Sequence, residues 1–132
     1  AVRGHIAGKD GIYAAALLVE MLAVTGKSVS QLYREITDKY GMLYYEDAAF
    51  TMTQARKAEL QEKLFVKLEV PDFGNAVEKI NRTDGCKVYF TDGSWVICRF
   101  SGTEPLLRMA AEGESQSQAR TYIRIWREEL GL

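Results

Sequence analysis

At 132 residues, with 47% hydrophobic and 27% charged side chains, the chain has the composition of an ordinary globular protein, not of a disordered or fibrous one. A formal net charge of −1 gives no electrostatic footprint for nucleic acid or for an anionic membrane surface. Two cysteines and one histidine leave no cysteine–histidine zinc site, and no apolar run reaches the ~18 to 20 residues of a membrane span.

Residues 11–25, "GIYAAALLVEMLAVT", read as a helix closed by Gly26, which can turn left-handed at its end. Between Ile12 and Val24 the only ionisable groups are Tyr13 and Glu20, so the apolar surface is far wider than the ~100° stripe of an amphipathic helix. Such a helix needs cover on most sides, from a sheet or a layer of helices, and the residues expected to supply it precede this chain. Asp10, at the entrance, reads as its N-cap. Ser28 and Gln31 form a capping-box pattern for a second, normally amphipathic helix that ends at Gly41.

From residue 42 the character changes. "MLYYEDAAFTM" predicts a strand, and Thr53 caps a helix over "QARKAELQEKLFV". A loop leads into a short strand at about residues 76 to 81. Strands 86–91 and 95–100 flank the turn "TDGS", where Asp-Gly between apolar runs signals a hairpin. "LLRMAAEG" is a further strand. Ser115 then caps a last helix that buries Ala119, Tyr122, Ile123 and Trp126. Clustered strands without β-α-β alternation indicate an α+β fold with a mainly antiparallel sheet and flanking helices. Cys86 and Cys98 fall in different strands and read as reduced core residues of a cytoplasmic protein.

Between the last two strands lies "RFSGTEPLLR", residues 99–108. A phosphate dianion needs several donors converging on one point, and consecutive backbone N–H groups in a tight turn form such a concavity. Ser101, Gly102 and Thr103 are expected to supply those groups and two hydroxyls. Arg99 leaves one strand and Arg108 enters the next, so both guanidiniums can grip phosphate oxygens. Pro105 stiffens the exit and drives Glu104 extended. The same residues also fit a polar hairpin loop whose arginines pair with Glu104 and Glu112.

The full "RFSGTEPLLR" pattern resembles the phosphate-binding loop of the α-D-phosphohexomutases, the phosphoglucomutases and phosphomannomutases. "NRTDGCKVYFTDGSWVICRF" resembles the run that leads into that loop. "RGHIAGKDGIYAAALLVEMLAVTGKS" resembles the end of the family's third domain, just past its sugar-binding loop. The resemblance implies that residues 1–41 are the C-terminal helices of that α/β third domain. It implies that residues 42–132 are the phosphate-binding fourth domain, with a TATA-binding-protein-like fold. It further implies that Arg99, Ser101, Gly102, Thr103 and Arg108 hold the non-transferring phosphate of a hexose phosphate. Glu104 belongs to the motif, but its carboxylate is expected to pair with an arginine.

The family's reaction, as the resemblance implies it, moves a phosphoryl group between a phosphoserine and the sugar through a glucose 1,6-bisphosphate-type intermediate, with Mg²⁺ held by clustered aspartates. Neither a T-A-S-H-N-P serine loop nor a D-G-D-x-D metal loop occurs in this chain. The chain is therefore expected to be a fragment, inactive alone, with no metal ligands of its own and with the family's N-terminal domains as its missing partner. The absence of an initiating methionine fits a chain cut from something longer. "HIAGKDG" matches a family run in which the lysine reaches the active site. Lys9 is thereby a candidate general acid or base and His5 a candidate neighbour, each alternatively a solvated surface residue.

A free-standing anion-binding module and a phosphoglucosamine mutase fragment are the alternative readings. Tyr89, Phe90, Trp95 and Phe100 offer aromatic faces, but no net basic groove accompanies them, so no nucleic-acid partner is expected. No membrane partner is expected either. If its sheet is missing, helix 11–25 is expected to drive self-association, or residues 1–41 to be poorly ordered.

Overall fold

The computed structural model describes residues 3–6, 8–66, 70–102 and 104–132. The chain divides into two compact units, Ala1–Met42 and Leu43–Leu132.

The first unit is a pair of helices. The Asp10 carboxylate accepts the Tyr13 N–H and opens α1 (Gly11–Thr25). Gly26, at φ 64°, closes α1 by returning its N–H to the Leu22 carbonyl, a left-handed position that suits glycine. Ser28 and Gln31 exchange both bonds of the capping box ahead of α2 (Val29–Tyr40). No described residue of either helix is buried, and Ile12 and Val24 are 87% and 80% exposed. The apolar surface of α1 thus has no cover within its own unit.

The second unit runs β1 (Tyr44–Thr51), α3 (Gln54–Gln61), β2 (Val77–Asn81), β3 (Cys86–Phe90), β4 (Trp95–Phe100), β5 (Leu106–Gly113) and α4 (Gln116–Leu130). The single helix expected over residues 54–66 is instead α3 followed by a widened π-helical turn, Glu62–Val66. Leu60 before the change and Leu64 after it are both buried. The sheet has the order β1-β5-β4-β3-β2, and every pairing is antiparallel. It is a meander of β2 to β5 with β1 added beside β5.

Period-two alternation splits the sheet into two faces. Val88, Val96, Cys98, Leu107, Met109 and Ala111 are buried on one face, beneath α4, α3 and the π turn. α4 lays Ala119, Tyr122, Ile123, Trp126 and Leu130 onto this core, at i, i+3, i+4, i+7 spacing from Ala119 through Trp126. The opposite face carries Trp95, Ile97 and Arg99 of β4 opposite Glu112, Ala110 and Arg108 of β5. The connection between β2 and β3 (residues 82–85), the β4–β5 loop (residues 101–105) and the exit of β1 meet at one end of the sheet. There the Met52 N–H donates to the Pro105 carbonyl at 3.0 Å.

Candidate anion-binding site

Register places the two arginines of the motif directly opposite each other. Arg99 on β4 pairs with Arg108 on β5, at the mouth of the loop. Like charges in directly opposed positions are mutually unfavourable unless an anion is shared between them. Both side chains lie on the exposed side, as does Gly102, while Ser101 is half-buried. Thr103 lies outside the described residues.

The turn after β2 holds Arg99 from the side. Its Nη1 donates to Asp84 Oδ2 at 3.0 Å, with side chains 45% and 78% exposed, so solvent screens the pair strongly. Gly85, at φ 103°, presses against the Arg99 backbone and Cβ, and a Cβ added to Gly85 would come within 2.6 Å of Arg99 Cβ. Arg108 makes no hydrogen bond or ion pair among the described residues. One guanidinium is therefore lightly held and the other is uncommitted.

The loop differs from its sequence-based picture in three respects. The Ser101 N–H is not an anion donor, because it is already bonded to the Leu106 carbonyl at 2.8 Å to close the hairpin. Gly102 does not adopt positive φ, so it is not there to make the turn; nothing lies within 4 Å of a Cβ added to it, and its surroundings are open. Glu104 pairs with no arginine among the described residues; the carboxylate on Arg99 is that of Asp84. Glu112, the other acid expected to pair, accepts the Trp95 indole N–H at 3.0 Å instead.

One cation was missed altogether. Lys57 of α3 donates from Nζ to the Ser101 carbonyl at 2.9 Å, across 44 residues of sequence. Its position in an amphipathic helix gives no local signal that it touches the loop. Below the arginines, Tyr45, Asp47, Ala49, Ile97 and Ala110 line a hollow of about 180 Å³. That is smaller than the ~300 to 1,000 Å³ of a typical small-molecule site. Among the described residues, no group of three or more histidine, cysteine or acidic side chains could hold a metal ion.

Comparison with known proteins fits this geometry. The sequence profile of the phosphoglucomutase/phosphomannomutase C-terminal domain matches residues 51–125, and that of the family's α/β/α domain III matches residues 1–40. The chain belongs to the phosphoglucomutase/phosphomannomutase family. A phosphoglucomutase/phosphomannomutase from Thermococcus kodakarensis is 33% identical over 127 residues, 96% of this chain and 24% of the relative. A protein of Methanosarcina acetivorans named as a probable phosphoglucosamine mutase is 38% identical over 107 residues, 81% of this chain and 22% of the relative. The chain thus spans about a quarter of the length of these curated relatives. Among solved structures, the parafusin phosphoglucomutase of Paramecium, in its open form, shares the fold with a TM-score of 0.59 at 23% identity, covering 96% of this chain and 27% of that one.

The motif residues of the family's third-domain segment lie in the first unit. His5 is half-buried: its Nε2 lies 2.9 Å from Asp10 Oδ2, and its ring stacks on Tyr13 with centroids 3.9 Å apart. The Tyr13 N–H, then His5, hold the Asp10 carboxyl below the usual carboxylate range. Lys9 is exposed and, with His5, Tyr13 and Leu17, borders a hollow of about 350 Å³. Of the aromatic residues considered as a stacking surface, Phe90 is fully buried, and the Trp95 ring is covered by Lys87 with Nζ 3.7 Å from its centroid.

Proposed function

We propose that this chain is the C-terminal part of a phosphohexomutase, and that it grips the phosphate of a hexose phosphate that is not being transferred. The observation that carries the reading is the directly opposed Arg99–Arg108 pair at the mouth of the loop that carries Ser101 and the exposed Gly102. Two guanidiniums can share the oxygens of one dianion, which removes their mutual repulsion and forms charge-assisted bonds worth roughly 1.5 to 3 kcal/mol each. Ser101 contributes through its hydroxyl, and Gly102 through its N–H. Thr103 completes the motif.

A cradle for the spectator phosphate suits a reaction in which a bisphosphorylated sugar turns over between two transfers. It holds whichever phosphate is idle and reads little of the ring. The phosphoserine, the Mg²⁺ ligands and the sugar-reading loop would come from regions outside these residues, so the chain alone is inactive. Lys9, as general acid or base, and His5 beside it serve the intact active site. Phosphoglucosamine mutases are a second reading for the intact protein, favoured by the names of several relatives.

Titration of the chain with glucose 1-phosphate, mannose 1-phosphate, glucose and a short single-stranded oligonucleotide tests the proposal. Only the sugar phosphates should bind, at about millimolar strength (roughly −4 kcal/mol), because most of the cleft is absent. Arg108→Ala should abolish that binding. Equal binding of glucose, or an unchanged Arg108→Ala, contradicts the reading.

A further inference from the structure

We infer that Lys57 is a positioning residue of the loop: it sets the direction in which the Gly102 N–H is offered to a phosphate oxygen. The inference rests on the phosphate-loop reading above. Lys57 stands in the first turn of α3, with Nζ 2.9 Å from the Ser101 carbonyl and 6.0 Å from the Phe100 ring centroid. The Ser101 carbonyl and the Gly102 N–H belong to one peptide group, and no cis peptide occurs among the described residues. In a planar trans peptide the C=O and N–H bonds point in opposite directions. Drawing the carbonyl toward α3 therefore turns the Gly102 N–H away from α3, and Gly102 itself is exposed with open space around an added Cβ.

Among the described residues, no other bond of the loop does this. The Ser101 N–H bond to Leu106 belongs to the preceding peptide group, and the Met52 bond to Pro105 anchors the far end. Lys57 also brings a charge. An ammonium on the carbonyl polarises the peptide and strengthens its N–H as a donor, the cooperative effect expected of linked hydrogen bonds. The loop is thus served by three cations. Two face the anion, and the third acts from behind through one peptide plane.

The test follows the amide resonances of the 132-residue chain during titration with glucose 1-phosphate and with inorganic phosphate. In the wild type the Gly102 amide should move strongly as ligand saturates. Lys57→Met should weaken binding about tenfold, equivalent to ~1.4 kcal/mol, and remove the Gly102 shift even at saturation. Lys57→Arg, which keeps both charge and donor, should restore both. If Lys57→Met does not give a folded spectrum, Lys57→Gln, a donor without the charge, should keep the Gly102 shift and lose affinity. Wild-type affinity and shift in the Met variant, or in the Gln variant where that one is read, with binding abolished in Arg108→Ala, overturn the positioning role and leave the loop reading intact. Wild-type binding by Arg108→Ala instead removes the loop reading, and this inference with it.

Discussion

Gly85 shows how much of the site depends on one missing methyl group. At φ 103° any L-residue is strained, and the space a Cβ would take is filled by Arg99 Cβ and the Cys98 carbonyl, each 2.6 Å away. Gly85→Ala should therefore cost ~2 kcal/mol or more of unfolding free energy in urea and, by displacing Arg99, weaken sugar phosphate binding as well. A variant with wild-type stability and affinity would show that the turn does not set Arg99. Residues of this kind mark the limit of sequence reading. That Arg99 and Arg108 share the exposed face could be read from a ten-residue run, because the strand pattern around them fixes which side they face. Lys57 and Asp84 could not, since their roles follow from where α3 and the β2–β3 turn settle. The Ser101 N–H was misassigned because hairpin closure has first claim on it.

At the scale of elements, the hairpin between β3 and β4 is locked to α4 through polar atoms. Asp92 accepts from the Ser94 hydroxyl and amide, from Asn75 and from Gln118, while the Tyr122 hydroxyl joins Ser94, Asn75 and Gln118 at 3.0 Å each. Burial would raise the Asp92 carboxyl, but the bonds from Ser94, Asn75 and Gln118 outweigh it and hold the group below its usual value. A depressed folded-state value means stability that is present above the ordinary carboxylate range and lost as pH falls through the folded value. Urea unfolding at pH 7 and pH 3 should show the wild type losing more of its stability on acidification than Asp92→Asn does. Equal losses would remove Asp92 from the network's energetics. The hairpin itself was legible from Asp-Gly between apolar runs, as were the four helix caps, because these signals are local. The π-helical turn at Glu62–Val66 has no such local signature.

The whole molecule is unevenly built. Every fully buried hydrophobic residue among those described lies between Leu60 and Leu130, while α1 and α2 bury none. Residues 43–132 should consequently fold cooperatively without the first unit, with a midpoint within a few degrees of the intact chain. The exposed apolar surface of α1 should make the intact chain bind a hydrophobic dye and self-associate, and deleting residues 1–42 should remove both properties. A shortened chain that fails to fold, or one that retains the dye signal, would contradict this division. The over-apolar helix was readable from composition alone; what covers it was not.

The central claim is that Arg99 and Arg108 together hold one phosphate. Selective ¹⁵N labelling of arginine, with the side-chain Nε signals followed as glucose 1-phosphate is added, tests it most directly. The Arg99 and Arg108 signals should shift together along one binding curve, with Asp84→Asn leaving that curve in place. Signals that stay fixed, or that move at other arginines while these two do not, would contradict the account.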